Sequence, residues 1–186
     1  MDRRSALKVL AGSAGLAGWR FAQPAYAKGE KAVEELQKNW KALLADGADV
    51  ANSAEPLKLS NDEWKKRLSP QAYDVLRKEG TERAGSSPLD REKRPGVFVC
   101  AGCSLPLYTS AMKFDSGTGW PSFFTTIPGS VGTSRDFKLI LPRTEYHCAR
   151  CGGHHGHLFD DGPETTGLRY CNNGVALRFI PKTGKA

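Results

Sequence analysis

The chain has 186 residues, 39% hydrophobic and 25% charged, the balance of a soluble domain with an appendage and not of a disordered chain. No apolar run reaches the ~18 residues a membrane span needs, and 20 glycines with 11 prolines favour short strands and turns over a helical bundle. The formal charge of +7 falls to +4 (23 basic against 19 acidic residues) once residues 1–27 are set aside, which is too mild to mark a nucleic-acid binder.

Residues 1–27 read as an export signal. Arg3-Arg4, followed by Ser5-Ala6-Leu7 and Lys8, resembles the bacterial twin-arginine signal, with Ala6 where that pattern usually has Phe. A weakly apolar stretch from Val9 to Gly18 follows, and Ala25-Tyr26-Ala27 is a small-x-small cleavage pattern. The rival reading, an amphipathic helix of the mature protein, is opposed by Gly12, Gly15, Gly18 and Pro24, each of which costs helix stability. The mature chain is expected to start near Lys28, outside the cytoplasm, in the periplasm.

Residues 28–58 form a helical arm and linker. Val33, Leu36, Trp40, Leu43 and Leu44 fall at helical spacing and predict a helix over Glu30–Ala45, ended by Gly47. Ser60-Asn61-Asp62-Glu63 is a capping box that opens a short helix carrying Trp64 and Leu68. Ser69-Pro70 starts another, with Tyr73 and Leu76 facing inward and Gly80 as its stop. Beyond Thr81, prolines and glycines cut the chain into short pieces. Val97–Cys100, Phe137–Leu141, Glu145–Cys148 and Val175–Ile180 read as strands. The fold expected is mainly β with small α: a helical arm on one antiparallel β domain spanning 59–182.

Four of the five cysteines form two C-x-x-C knuckles, Cys100–Cys103 and Cys148–Cys151, each following a strand. Two residues between sulfurs let a tight turn present both to one metal, and two such turns complete a tetrahedral S₄ site that suits zinc. Gly102 and the Gly152-Gly153 pair are the residues expected to ease the turns. A redox dithiol and a pair of disulfides are the competing readings. Zinc is preferred, since the twin-arginine route carries folded proteins and the metal can load before export. Cys171 is left over. All four histidines lie between 147 and 157, and a spare thiol with spare imidazoles is an arrangement for nucleophilic catalysis, set against the plainer reading of a buried structural cysteine.

Longer runs carry a resemblance. Lys113-Phe114-Asp115-Ser116-Gly117-Thr118-Gly119-Trp120-Pro121-Ser122-Phe123, Arg143-Thr144-Glu145, the run from Cys151 through His154, His155 and His157 to Pro163, and Arg169-Tyr170-Cys171-Asn172-Asn173 together resemble the methionine-R-sulfoxide reductases of the B type. Trp64–Ser69 and Gly80–Arg83 are similar to that family's opening segment. The resemblance implies two antiparallel β-sheets, one structural zinc on Cys100, Cys103, Cys148 and Cys151, no organic cofactor, and thiol-dependent reduction of methionine-R-sulfoxide within proteins. It implies Cys171 as the nucleophile that becomes a sulfenic acid, and His154 and His157 as the histidines that help protonate the sulfoxide oxygen. By the same resemblance Asn173 orients the site, Asp161 supports His157, and the Trp120 indole receives the substrate's ε-methyl group. The partners implied are oxidised proteins or peptides and an external, thioredoxin-like thiol reductant, with no nucleic acid and no membrane span.

Four positions depart from the family pattern. Thr118 stands where the resolving cysteine is usual, so an external reductant is expected to attack Cys171 directly. His155 and Asn172 replace apolar residues, and Gly174 replaces a common Ser. The rival function, a zinc-ribbon binding module without catalysis, accounts for the knuckles but leaves Cys171, the histidine patch and Trp120 unexplained. A secreted, disulfide-stabilised structural protein is the second rival.

Overall fold

The computed structural model describes residues 25–137 and 142–182, so the expected export signal lies outside the described residues as far as position 24. Helix α1 runs from Ala25 to Lys38 and gives way to a 3-10 turn over Trp40–Leu43. The helix expected to continue to Ala45 thus tightens at Asn39, a poor helix residue. Its apolar stripe still faces the domain: Leu36, Trp40, Leu43 and Leu44 pack on the core, and Gln37 Nε2 donates to Thr125 Oγ1 at 2.7 Å.

Helix α2, Asn61–Arg67, opens with the expected capping box, the Ser60 amide donating to Glu63 at 2.7 Å. Helix α3, Pro70–Lys78, is capped by Ser69 and buries Leu76, whereas Tyr73 is half-buried. The stop comes one residue before the expected glycine, because Glu79 itself adopts the left-handed conformation with φ 58°.

Nine strands follow among the described residues: β1 Gly96–Cys100, β2 Pro106–Thr109, β3 Lys113–Phe114, β4 Ser122–Phe123, β5 Val131–Asp136, β6 Arg143–Cys148, β7 His154–Phe159, β8 Arg169–Asn172 and β9 Leu177–Pro181. All pairings are antiparallel, in a three-stranded sheet β2-β1-β9 and a six-stranded sheet β3-β4-β8-β7-β6-β5. The strand expected over Phe137–Leu141 is instead β5, ending at Asp136. Phe137 is exposed, and 138–141 lie outside the described residues. The strand expected from Val175 begins at Leu177, after a 3-10 turn over Gly174–Ala176.

The core lies between the sheets. Phe98 of the small sheet meets Phe123 edge-on at 5.0 Å, and Phe123 stacks on Tyr108 at 4.0 Å. Trp64 and Leu76 close it from the helices. Such aromatic pairs add to the burial energy and fix how the two sheets lie.

Register sets up the other face of the large sheet. Directly opposed residues of an antiparallel pair share a face. Ser122 opposes Cys171, Cys171 opposes His157, His157 opposes Glu145, and Glu145 opposes Ser134. These five polar residues therefore form one row across β4, β8, β7, β6 and β5, on the side away from the aromatic core. Two residues along lies a second row with Arg169, Phe159, Arg143 and Asp136.

Gly156 is what lets β7 and β8 close this tightly. A Cβ there would lie 1.9 Å from the Cys171 carbonyl oxygen, in rigid backbone that cannot yield. Gly156→Ala is expected to destabilise the protein by about 2–3 kcal/mol through overpacking, read as a lowered urea midpoint.

Candidate active site and metal centre

Each knuckle is the turn of a hairpin, Cys100–Cys103 between β1 and β2 and Cys148–Cys151 between β6 and β7. The turns are alike. In each, the amide of the residue after the second cysteine donates to the carbonyl of the first at 2.9 Å, Ser104 to Cys100 and Gly152 to Cys148. Both of those residues are left-handed, with φ 59° and 65°. The left-handed position of the first knuckle is therefore Ser104, not Gly102. The four sulfurs lie within 4.8 Å of one another, with Cys100 to Cys151 at 3.7 Å and Cys103 to Cys148 at 3.5 Å. A tetrahedron with metal–sulfur bonds of about 2.3 Å has edges of about 3.8 Å. All four cysteines are buried and none is in a disulfide, so the donor set and its spacing fit one zinc ion. The ion would tie the small sheet's hairpin to the large sheet's.

On the outer face of the large sheet lies a cavity of about 130 Å³. Trp120, His157, Cys171 and Asn173 line it, together with Arg143 and Phe159. Four of the six candidate catalytic and substrate residues thus converge. His154 stands behind His157, with ring centroids 5.4 Å apart. Asp161 is elsewhere. It does not touch His157; its carboxylate accepts two hydrogen bonds from Arg169, at 2.7 and 2.8 Å. The expectation that it supports His157 is corrected accordingly. The strand period explains why, since Arg169 shares a face with Cys171 two residues on and is the near cation.

Asp136 holds His157 instead. His157 Nε2 lies 2.8 Å from Asp136 Oδ2, which also accepts from Arg143 at 2.6 Å. A carboxylate only accepts, so Nε2 carries the proton and Nδ1 is the nitrogen left for substrate. Burial lowers the His157 pKa below its usual value and Asp136 pushes it back up. Glu145 likewise gathers His154 Nδ1 at 2.9 Å, His147 Nδ1 at 3.1 Å and the Ser134 hydroxyl at 2.6 Å. Burial works against its charge, yet these donors bring the Glu145 pKa down to about 2. His154 is buried, with its Nε2 lacking a protein partner among the described residues.

Asn173 and Trp120 are fixed by Glu82. The Glu82 amide donates to Asn173 Oδ1 at 2.9 Å, its carbonyl accepts from Trp120 Nε1 at 3.2 Å, and its buried carboxylate accepts from the Gly174 and Val175 amides at 2.6 and 3.0 Å. Asn173 Nδ2 donates to the His155 carbonyl at 2.9 Å. Glu82, Asp136, Glu145, Arg143 and Arg169 received no role from sequence. Four of them lie within the quoted family runs, which was their available signal. Asp136 had none.

Cys171 is partly buried, and burial raises its thiol pKa, while the Arg169 guanidinium opposes the rise. Arg169→Gln removes that cation, so the pH midpoint for Cys171 alkylation by iodoacetamide is expected to move up, with less thiolate at neutral pH. For the metal centre, Cys103→Ser is expected to lower the zinc content of purified protein from one ion per chain and to depress the thermal midpoint, measured by elemental analysis and calorimetry.

Comparison with known proteins agrees with this geometry. The SelR domain model matches residues 68–181. The chain is 48% identical over 135 residues to "Peptide methionine sulfoxide reductase B1, chloroplastic" of Arabidopsis thaliana, covering 72% of this chain and 67% of that protein. It is 50% identical over 121 residues to "Peptide methionine sulfoxide reductase MsrB" of Methanosarcina barkeri, covering 64% and 85%. The protein of the same name from Agrobacterium fabrum is 47% identical over 123 residues, covering 66% and 91%. With a matched domain over most of the chain and relatives this similar, the chain belongs to the SelR-domain family of peptide methionine-R-sulfoxide reductases.

Proposed function

We propose that Cys171 is the nucleophile of this reductase and that the protein repairs methionine-R-sulfoxide in exported proteins. The observation that carries the first part is the convergence of Cys171, His157, Trp120 and Asn173 on one cavity. The methyl group of the substrate rests on the Trp120 indole, whose orientation comes from Glu82. The sulfoxide oxygen faces His157. Protonated on Nδ1 and held through Nε2 by Asp136, this imidazolium donates to the oxygen and makes the sulfur electrophilic. Because burial lowers its pKa, it releases the proton readily.

Cys171 attacks as the thiolate, favoured by Arg169. The S–O bond of the substrate breaks, methionine leaves, and the oxygen passes to Cys171 as a sulfenic acid. Two electrons move from cysteine to substrate. Glu145 fixes His154 behind His157 and keeps a negative charge near the pair. The four sulfurs of the knuckles, when holding zinc, are structural and take no part in a step.

Thr118 cannot form a disulfide, and the knuckle cysteines are committed to the metal. An external thioredoxin-like thiol therefore reduces the sulfenic acid directly. The reading of residues 1–27 as a twin-arginine signal supports an enzyme working in the periplasm on oxidised exported proteins. No helix among the described residues is long and apolar enough to cross a membrane.

The experiment is turnover of R- and S-methionine sulfoxide peptides with a dithiol reductant. Wild-type protein should reduce only the R epimer, and Cys171→Ser should lose activity while keeping its fold. After one turnover without reductant, a dimedone-type probe should label Cys171, with one methionine released per chain. Equal activity on the S epimer, an active Cys171→Ser protein, or a Cys171–knuckle disulfide with zinc release would overturn the reading.

A further inference from the structure

The cavity that holds Cys171 is too small for a stretch of polypeptide. Its volume of about 130 Å³ is well under the roughly 300–1,000 Å³ of sites that enclose a whole small ligand, so it takes one side chain and leaves the chain that carries it outside. A second hollow, of about 340 Å³, shares two lining residues with the cavity, Arg143 and Phe159. It lies where β6 begins and β7 ends, with Thr144 opposite Leu158, and Leu168 reaches it from just before β8. Pro142 adds to an otherwise apolar lining, and Asp160 stands exposed at the rim. Leu158, Phe159 and Leu168 are each half-buried, so apolar surface is left there for a partner to cover.

The shared residues make a fixed ridge between the two spaces. The Arg143 guanidinium donates to Asp136 at 2.6 Å. Phe159 packs against the Arg169 guanidinium, whose carbon lies 4.3 Å from the ring centroid, and Arg169 is held in turn by the two hydrogen bonds it donates to Asp161. Both members of the ridge are thus in place before anything binds, which lowers the ordering cost of binding. Consecutive Cα atoms are about 3.8 Å apart, so a chain that leaves the cavity over this ridge brings its next side chain to the apolar hollow.

We infer that this hollow receives the side chain next to the oxidised methionine on one flank of the substrate, and that it selects a large apolar one. The occupant is the substrate polypeptide itself, because the hollow shares Arg143 and Phe159 with the cavity in which the sulfoxide reacts. Asp160 at the rim favours a basic over an acidic residue one position further out. Leu168 and Asp160 are then specificity residues, which touch the flanking residues and not the reacting atoms. The inference rests on the reading of Cys171 as the nucleophile in that cavity, and narrows the substrate class to methionine-R-sulfoxide with an apolar neighbour.

The test uses the full chain, as wild type, Leu168→Ser and Asp160→Lys, with a dithiol reductant and blocked glycine peptides that carry a central methionine-R-sulfoxide. Leucine is placed just before or just after the sulfoxide, and lysine or glutamate one position beyond it. Each result is a ratio of kcat/KM values within one protein, so a general loss of activity cancels. In wild type, leucine on one flank should raise kcat/KM about tenfold over glycine, chiefly through KM, and about twofold at most on the other, the effect of burying most of one leucine side chain. Leu168→Ser should cut that gain to about threefold or less. Lysine should outdo glutamate about threefold, and Asp160→Lys should reverse the order. This exposed position serves if Leu168→Ser is poorly folded. Equal kcat/KM for leucine and glycine on both flanks in wild type, or wild-type ratios in both variants, overturn the inference. Wild-type protein that reduces neither the peptides nor blocked methionine-R-sulfoxide overturns the reductase reading instead.

Discussion

The pairing of β7 with β8 is the constraint on which the site depends. Gly156 lets the two backbones approach to a separation that any side chain would forbid, and this sets His157 directly opposite Cys171. From that one register the rest follows. β4 brings Ser122 to the other side of Cys171, β6 brings Glu145 beside His157, and β5 brings Asp136 within reach of the imidazole. A slip of one residue would turn the whole row into the aromatic core. The metal centre guards against such a slip from a distance. The second knuckle is the turn that joins β6 to β7, and its sulfurs are matched to those of the β1–β2 turn. Zinc held there anchors the start of β7 to the other sheet.

The electrostatics of the face are a set of opposed pushes. Burial raises the thiol of Cys171 and lowers the imidazolium of His157, so dryness alone would leave both groups neutral. Arg169 and Asp136 each counter one of these shifts, and each is itself held: Arg169 by the two hydrogen bonds it donates to Asp161, Asp136 by the one it accepts from Arg143. Groups one layer away thus partly offset the effect of burial on Cys171 and His157.

Much of this was legible in the sequence, for identifiable reasons. Capping chemistry at Ser60 and Ser69 is local, and the helices start where it says. The C-x-x-C spacing describes a turn, and the turns are there. The residues of the cavity were legible because they lie in long matched runs. Strands β5, β7 and β8 were not, because the alternation that marks a strand is hidden when the outward face carries His, Cys, Arg and Asp and the inward face also carries polar groups. The partner of His157 was hidden for a different reason. Asp136 and Asp161 are both acidic residues at a distance, and only register decides that the first meets the imidazole while the second meets Arg169. Glu82 acts through its backbone as much as its carboxylate, which no side-chain pattern reveals.

The departures at 155, 172 and 174 become intelligible on the same face-by-face logic. His155 and Asn172 are fully buried, and the imidazole Nδ1 donates to the Asn172 amide oxygen at 3.1 Å. Burial brings the His155 pKa down to about 4, so it is neutral and can make that bond without a charge in the core. Either residue alone among apolar neighbours would leave a buried polar group without its partner, which costs more than the bond gains. The two are therefore one change, not two. Gly174 is matched in the same way: a Cβ there would lie 1.9 Å from Ser87 Oγ, while its bare amide donates to Glu82. Alternation then isolates these changes from the chemistry. Asn172 points into the core because Cys171 points out of it, so the interior behind Cys171 can turn polar without moving the sulfur. What it does move is the fixity of Asn173, whose amide nitrogens both donate to the His155 carbonyl, at 2.8 and 2.9 Å. A buried hydrogen-bonded pair is more exacting about geometry than apolar packing, and here it sits where the orientation of the cavity wall is set.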